Sequence, residues 1–441
     1  MSDLIQVSTA KGERKAVDRL IVIDSRTLVS YDIPITNNAV KATDFRKISA
    51  HGLTGNSLER YATGLRIMEP GFQNTAVAES SITHIDGVKG IIHYRGYTLD
   101  QLIENHDFED VSFLLVWGHL PSIQEKLDYR TKLAARLNPP QSVVDTIKCF
   151  PRITPYHLMF VAGLTAWAAT DPTMIPIHMG AELYLGKMDA VDKGVLQTMA
   201  ASISVIALIY CHYQGKQIRP SDAHASLAEN ILLMMGIVDQ TTNRPDPKMV
   251  RILNSLWTVY ADHEMTNSTA ASLHVGSGLA DPMSCVSAAV CSGSGPLHGG
   301  AIDLAYKTFE RIGSKDNVPR AIEDVKAGKF RLSGYGHRIY KTVDPRVKHL
   351  KKALNELSGN IDANQHLSVA LEIDRIAAQD DYFTSRNLHT NADLGFKPEI
   401  ITALMTAGRV SGILAHWREQ MEKPATLWRP LQIFTRDRSK L

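Results

Sequence analysis

The sequence predicts a mainly α-helical protein with a small β element near its N-terminus, on three observations. Apolar residues recur at spacings of three and four along most of the chain beyond residue 98. Pro, Gly or polar clusters separate these segments, and the short β-branched runs all come before residue 97. In order, residues 1–60 are extended and irregular, with strand-like runs at 20–24 and 27–35 broken by Pro34 and Asn37. Runs at 81–85 and 90–94 flank Asp86-Gly87 and predict a β-hairpin. Helices are expected over 99–118, 123–137, 156–169, 195–212, 223–235 and 248–260, with Pro121, Pro139-Pro140 and Pro151 at their ends. A second series covers 301–311, 318–327, 347–357 and 367–379. After an irregular stretch at 386–396, a last helix runs over 400–422.

With 441 residues, 44% of them hydrophobic, the chain can bury more than one core, and two domains are expected. Lys plus Arg exceed Asp plus Glu by only 48 to 46, so no global field points to nucleic acid or an anionic membrane. An anionic ligand must be held by a local cluster of cations. Cys149, Cys211, Cys285 and Cys291 lack CxxC spacing, which suits packing in a reducing compartment. The most apolar stretch, 199–210, is interrupted by serines and too short to cross a bilayer, so a buried helix is expected. The sequence ends in Ser439-Lys440-Leu441, the tripeptide read by the peroxisomal import receptor; a peroxisomal location is expected, otherwise a cytoplasmic one.

Chemistry concentrates between residues 261 and 346. Ala261-Asp262-His263-Glu264, Gly295-Pro296-Leu297-His298-Gly299-Gly300 and Gly334-Tyr335-Gly336-His337-Arg338-Ile339-Tyr340-Lys341, continuing to Asp344-Pro345-Arg346, each set a histidine among residues that end or begin helices. The three histidines are far apart in sequence and lack the short HxxxH spacing of a metal site, so a metal reading is secondary. Histidines also donate hydrogen bonds to carbonyl oxygens and move protons near neutral pH. Arg346, Arg409 and Arg429 could clamp carboxylates through paired N–H donors, which points to a polyacid or keto acid substrate.

These segments, together with Met68-Glu69-Pro70-Gly71-Phe72-Gln73-Asn74-Thr75, residues 81–87, Tyr94-Arg95-Gly96-Tyr97, Ala415-His416-Trp417-Arg418-Glu419 and Trp428-Arg429-Pro430, resemble the citrate synthases, in the same order and from about residue 62 onward. The resemblance implies a two-domain helical homodimer that closes over oxaloacetate and an acyl-CoA: an N-terminal extension (1–60), a large domain (61–297 with 397–441) and a small domain (298–396). It implies that His298 polarises the thioester carbonyl, that His337 activates the ketone of oxaloacetate, and that Asp393, in Asn391-Ala392-Asp393, is the base. His263, Arg346 and Arg409 would bind oxaloacetate, and Arg429 would reach the partner subunit's site. Lys341, and more weakly Arg338, would meet the CoA phosphates. No cofactor or metal is implied beyond the coenzyme A thioester, which is a substrate.

The sequence departs from the family's pattern beside the expected base. The Phe-Tyr-Ser-Gly continuation is missing after Asp393, where Leu394-Gly395-Phe396 follows, and the stretch is shorter by roughly two to three helical turns. Met405 stands where phenylalanine is usual, Thr266 and Ile302 where asparagine is. A flexible methionine reshapes an apolar pocket, so Met405 and Leu394 are expected to line a site for an acyl group longer than acetyl, giving a 2-alkylcitrate. Two alternatives stay open: a peroxisomal citrate synthase using acetyl-CoA, and an oxaloacetate-binding homologue without a competent base.

Overall fold

A computed structural model describes residues 18–50, 64–337, 339–357, 365–386, 398–433 and 435. The chain divides into two compact units, Met1–Glu79 and Ser80–Leu441. In the first, β1 (Arg19–Asp24) and β2 (Val29–Pro34) pair antiparallel from Arg19 opposite Pro34 to Asp24 opposite Val29. The Asp24 carboxylate closes the turn by accepting from the Arg26 backbone N–H at 3.0 Å and from its guanidinium at 2.8 Å.

The second unit opens with the expected hairpin. Strands β3 (Thr83–Asp86) and β4 (Ile91–Tyr94) pair with Asp86 opposite Ile91, and β5 (Tyr97–Thr98) adds a third antiparallel strand. The rest is helical. The single helix expected over 99–118 is two, α1 (Leu99–Asn105) and α2 (Phe108–Trp117), because Asp107 starts a new capping box with Asp110. Boxes of the same kind, Ser122 with Glu125 and Ser226 with Glu229, begin α3 (Ile123–Ala134) and a later helix, Leu227–Met234. Between these lie α4 (Gln141–Lys148), α5 (Tyr156–Ala168), a short α6 (Pro176–Met179) and α7 (Met188–Gln214); Leu227–Met234 is α8.

The central helix α7 has 27 residues, more than the apolar run suggested. By length and composition it could cross a membrane, but 89% of its most apolar stretch is buried inside the protein. Its apolar surface is used by α3, α4, α5, α8 and two of the helices described next.

Helix α9 (Pro247–Tyr260) leads to α10 (Asn267–Gly276) and α11 (Pro282–Gly293), which pack closely on one another. These two were not expected as helices: Ser, Thr, Ala, Cys and Gly fill them, so no apolar period marks a face. Then come α12 (Ala301–Ile312), α13 (Val318–Lys326), α14 (Val347–Leu357), α15 (Gln365–Ala377), α16 (Asp381–Thr384) and α17 (Pro398–Met421).

One apolar core surrounds α7, with Trp257 and Trp417 fully buried in it. A second, smaller cluster joins Ala305, Phe309, Val318, Ile322, Ile373 and Phe383 from α12, α13, α15 and α16. Helix α17 lies unusually close to the end of α9. A Cβ on Gly408 would sit 2.9 Å from the Trp257 Cα, and one on Gly412 would sit 2.3 Å from the Ala261 carbonyl oxygen. The Gly412 N–H instead donates to that oxygen at 3.1 Å.

Candidate active site

Three turns carry the histidines. The first links α9 to α10. Asp262 is fully buried there, its carboxylate Oδ2 facing His416 Nε2 of α17 at 3.3 Å and accepting from the Glu264 N–H at 3.0 Å. The Tyr94 hydroxyl donates to the Asp262 carbonyl at 3.0 Å. Glu264 takes a left-handed φ of 55° and its carboxylate accepts from the Ile85 N–H at 2.6 Å. Held on both sides, His263 is 5% exposed, with Nε2 2.9 Å from the Tyr340 hydroxyl. Burial, then Arg346, Arg409 and His337, hold its pKa well below the ordinary value.

The second turn carries His298 between α11 and α12. Gly300 N–H folds back to the carbonyls of Gly293 and Gly295 at 3.0 and 3.1 Å, an approach that a Cβ on Gly300, 2.5 Å from the Ser294 oxygen, would forbid. His298 Nε2 accepts the Ser268 backbone N–H at 3.3 Å and lies 2.9 Å from the Ser268 hydroxyl, in the first turn of α10. A ring nitrogen that accepts from a backbone N–H carries no proton, so the neutral ring's proton is on Nδ1. Burial and the charge of Arg409 lower the pKa of this histidine too.

The third turn fixes His337 the other way round. Its Nδ1 accepts from the N–H groups of Ile339 at 3.1 Å and Tyr340 at 3.3 Å, so the proton is on Nε2. The ring lies edge-on to His263 at 5.4 Å and against Tyr340 at 4.6 Å. Burial, with Arg346 beside it, holds His337 down to about 4, the Asp344 charge opposing them.

Two of the expected arginines belong to the same cluster. Arg346 is buried, with Nε and one terminal nitrogen bound to the Asp344 carboxylate at 3.0 and 2.6 Å, and it sits 5.6 Å from the centre of the Tyr260 ring. That pairing takes one of its two forked edges. Arg409 donates from Nε to the Tyr260 carbonyl at 2.6 Å, and among the described residues its terminal nitrogens have no hydrogen-bond acceptor. Burial and the like charge of Arg346 lower its pKa, with Asp262 working against them.

The contacts therefore chain together: His337 touches His263, and five residues after His263 the backbone N–H of Ser268 holds His298. Met405 lies one turn before Arg409 on α17, half-buried against the main core, as does Ile302 on α12. Thr266 caps α10, its hydroxyl accepting from the Thr269 N–H at 3.1 Å. Lys341 is exposed and joins the framework through its backbone. Arg429 is exposed and makes none of the contacts that join the others; its neighbour Trp428 donates its backbone N–H to Ser277 Oγ at 3.1 Å. Arg338, Asp393, Leu394 and Ser439-Lys440-Leu441 lie outside the described residues.

Sequence reasoning did not single out Ser268, Tyr340, Asp344 or the Asp262–His416 pair as working parts. Tyr340 and Asp344 stood inside a motif already noted, whereas Ser268 had only its place at a helix start as a signal. Together the residues present two neutral imidazoles with opposite protonated nitrogens beside two cations. Such a site can polarise two different carbonyl oxygens while holding a dianion.

The sequence matches the family described as citrate synthase, C-terminal domain, over residues 71–431. A citrate synthase-like protein of Aspergillus oryzae is 44% identical, covering 96% of this chain and 97% of its own. An alkylcitrate synthase from a fungal species is 39% identical, covering 94% of this chain and 93% of its own. Among solved structures, the citrate synthase of the archaeon Thermoplasma acidophilum, in ternary complex with carboxymethyl coenzyme A and oxaloacetate, superposes with a TM-score of 0.74 at 28% identity, covering 83% of this chain and 96% of that one. Joined to a helical fold that gathers His263, His298, His337, Arg346 and Arg409, these relationships identify the chain as a member of the citrate synthase family.

Proposed function

We propose that the protein condenses an acyl-CoA with oxaloacetate and hydrolyses the resulting thioester, with an acyl donor longer than acetyl and a 2-alkylcitrate as product. The observation that carries the reading is the pair of neutral histidines with opposed tautomers, beside Arg346 and Arg409. His298 Nδ1–H donates to the thioester oxygen as Asp393 takes the α-proton, so negative charge on that oxygen is met as it develops. The enol carbon then bonds to the ketone carbon of oxaloacetate, whose oxygen receives a proton from His337 Nε2. Water cleaves the thioester, releasing CoA thiol and a carboxylate. Arg346, Arg409 and His263 hold the oxaloacetate carboxylates and carbonyl, Arg429 serves the site of a partner subunit in a homodimer, and Lys341 with Arg338 meets the CoA phosphates.

The same proposal places the small domain at 298–396, supported by the second apolar cluster. It also places the protein in the peroxisome; a fluorescent fusion with and without the terminal tripeptide tests that. For the acyl group, Met405 gives a pliable wall in place of a flat ring, and the alkylcitrate synthase relationship supports the choice. The experiment is CoA thiol release with oxaloacetate and acetyl-, propionyl-, hexanoyl- and longer acyl-CoA, with Asp393→Ala as control. Preference for a longer donor is expected. Preference for acetyl-CoA would make the product citrate, and no turnover with any donor would leave a binding protein.

A further inference from the structure

The turn of the β3–β4 hairpin presses on the segment that carries His337. The Gly87 carbonyl accepts the Lys341 N–H at 2.8 Å. A Cβ built on Gly87 would lie 2.5 Å from the Ile339 carbonyl oxygen and 2.9 Å from its Cγ2, and one on Gly90 would lie 2.8 Å from Thr342 Cγ2. Gly90 has a left-handed φ of 66°, but Gly87 does not, so what Gly87 supplies is room for another backbone. Asp86 stiffens the turn by accepting from the N–H groups of Val88 and Lys89 at 3.1 and 2.9 Å. The contact falls on the peptide that matters. Ile339 meets the hairpin with its carbonyl side and donates its N–H to His337 Nδ1 at 3.1 Å.

We infer that Gly87 is a positioning residue for the condensation: its bare backbone sets where Ile339 sits, and through the Ile339 N–H it fixes the orientation and tautomer of the His337 ring. The inference rests on the role proposed for His337 above. A methyl group at Gly87 displaces a backbone carbonyl, which cannot rotate away as a side-chain tip would. The Ile339 N–H then leaves Nδ1, and the Nε2–H no longer points along one fixed line at the ketone. The groups facing His337 are the His263 and Tyr340 rings and the Arg346 and Asp344 charges, none of which the hairpin turn carries.

The test compares Gly87→Ala with Asp86→Ala, which loosens the turn without inserting an atom, and with Val88→Ala at a tip residue that is 76% exposed. Gly87→Ala is expected to lower kcat roughly 10- to 100-fold, the cost of misplacing a catalytic group by about an ångström. KM for the acyl-CoA should stay near that of the parent, and the thermal midpoint should fall by a few degrees at most. The acid limb of kcat against pH should move up, because Nδ1 freed of the Ile339 N–H takes a proton more readily. Asp86→Ala should show the same changes more weakly, and Val88→Ala none. If Gly87→Ala and Asp86→Ala keep the parent kcat and pH profile while His337→Gln is inactive, the positioning role is wrong. If His337→Gln is itself fully active, the role of His337 fails and the inference goes with it.

Discussion

Asp344→Asn isolates what the buried Asp344–Arg346 pair contributes. In the folded chain the two are 2% and 7% exposed, and the carboxylate accepts two hydrogen bonds from the guanidinium at 3.0 and 2.6 Å and a third from the Arg346 backbone N–H at 3.0 Å. Asparagine keeps the shape and one acceptor but turns an N–H₂ toward an N–H donor and leaves the guanidinium charge uncompensated. Removing one partner of a buried pair costs about 3–5 kcal/mol, and the retained acceptor puts this change at the lower end, about 3 kcal/mol. With an unfolding entropy of about 2 cal/mol/K per residue over the larger unit, that corresponds to a Tm lower by about 4 °C.

The assay is calorimetric or dye-monitored unfolding, with and without saturating oxaloacetate. A dicarboxylate bound at Arg346 supplies the missing negative charge, so its stabilising effect should be larger in the variant than in the parent. The pH dependence has a defined sign. Burial raises the Asp344 pKa, but the Arg346 charge and hydrogen bonds outweigh it and hold the carboxyl below its ordinary 3.8. Its stabilisation is therefore complete above that value and is lost as the pH falls below it. A Tm within about 1 °C of the parent at neutral pH would refute the reasoning, because a buried guanidinium stripped of its counter-charge cannot be neutral in energy.

Three further outcomes follow from the site. Ser268→Ala removes one hydrogen bond to His298 Nε2 and keeps the backbone N–H, so kcat should fall about fivefold with KM for oxaloacetate unchanged, and an unchanged kcat would detach Ser268 from the chemistry. His337 is held down to about 4 in the fold, so between about pH 6.5 and 4 the unfolded chain binds a proton that the folded chain refuses. The stability of the parent relative to His337→Gln should fall across that window, and a flat difference in paired urea titrations would contradict the buried, neutral imidazole. Met405→Phe should shift the ratio of kcat/KM values toward the shorter acyl donor by at least about tenfold, whereas an unaltered chain-length profile would remove Met405 from the acyl pocket.

The fold and site were readable in the sequence where a single side-chain pattern decides a conformation. Glycine and a carboxylate between β-branched runs gave the hairpin at Asp86–Gly87, and apolar period gave α9, α12, α13 and α14 within a residue or two. Where stability comes from close packing of small residues, as in α10 and α11, the periodic signal vanishes because Ala, Ser and Gly are neither clearly apolar nor polar. The histidines stood out because their turns are rich in glycine and acid, and the structure gathers all three. Their tautomers did not, since each depends on a backbone N–H that a fold alone brings near: Ser268 for His298, Ile339 and Tyr340 for His337. The Arg346–Asp344 pairing was hidden for a similar reason, since two residues two apart in a loop can face each other or not, depending on the turn.

The two glycines of α17 bear on how such a site can diversify. Gly408 and Gly412 let the helix rest directly on the backbone around Trp257 and Ala261, so any side chain at either position would lift the whole helix, and Arg409 with it. The cation's place is thus tied to two positions that tolerate almost no change. Met405, one turn away, is only half-buried against the apolar core, where a change of side chain costs less. On the function proposed above, a helix built in this way would separate the part that holds a fixed acid from the part that meets a variable acyl chain. Lineages sharing this frame can change the second without re-solving the first.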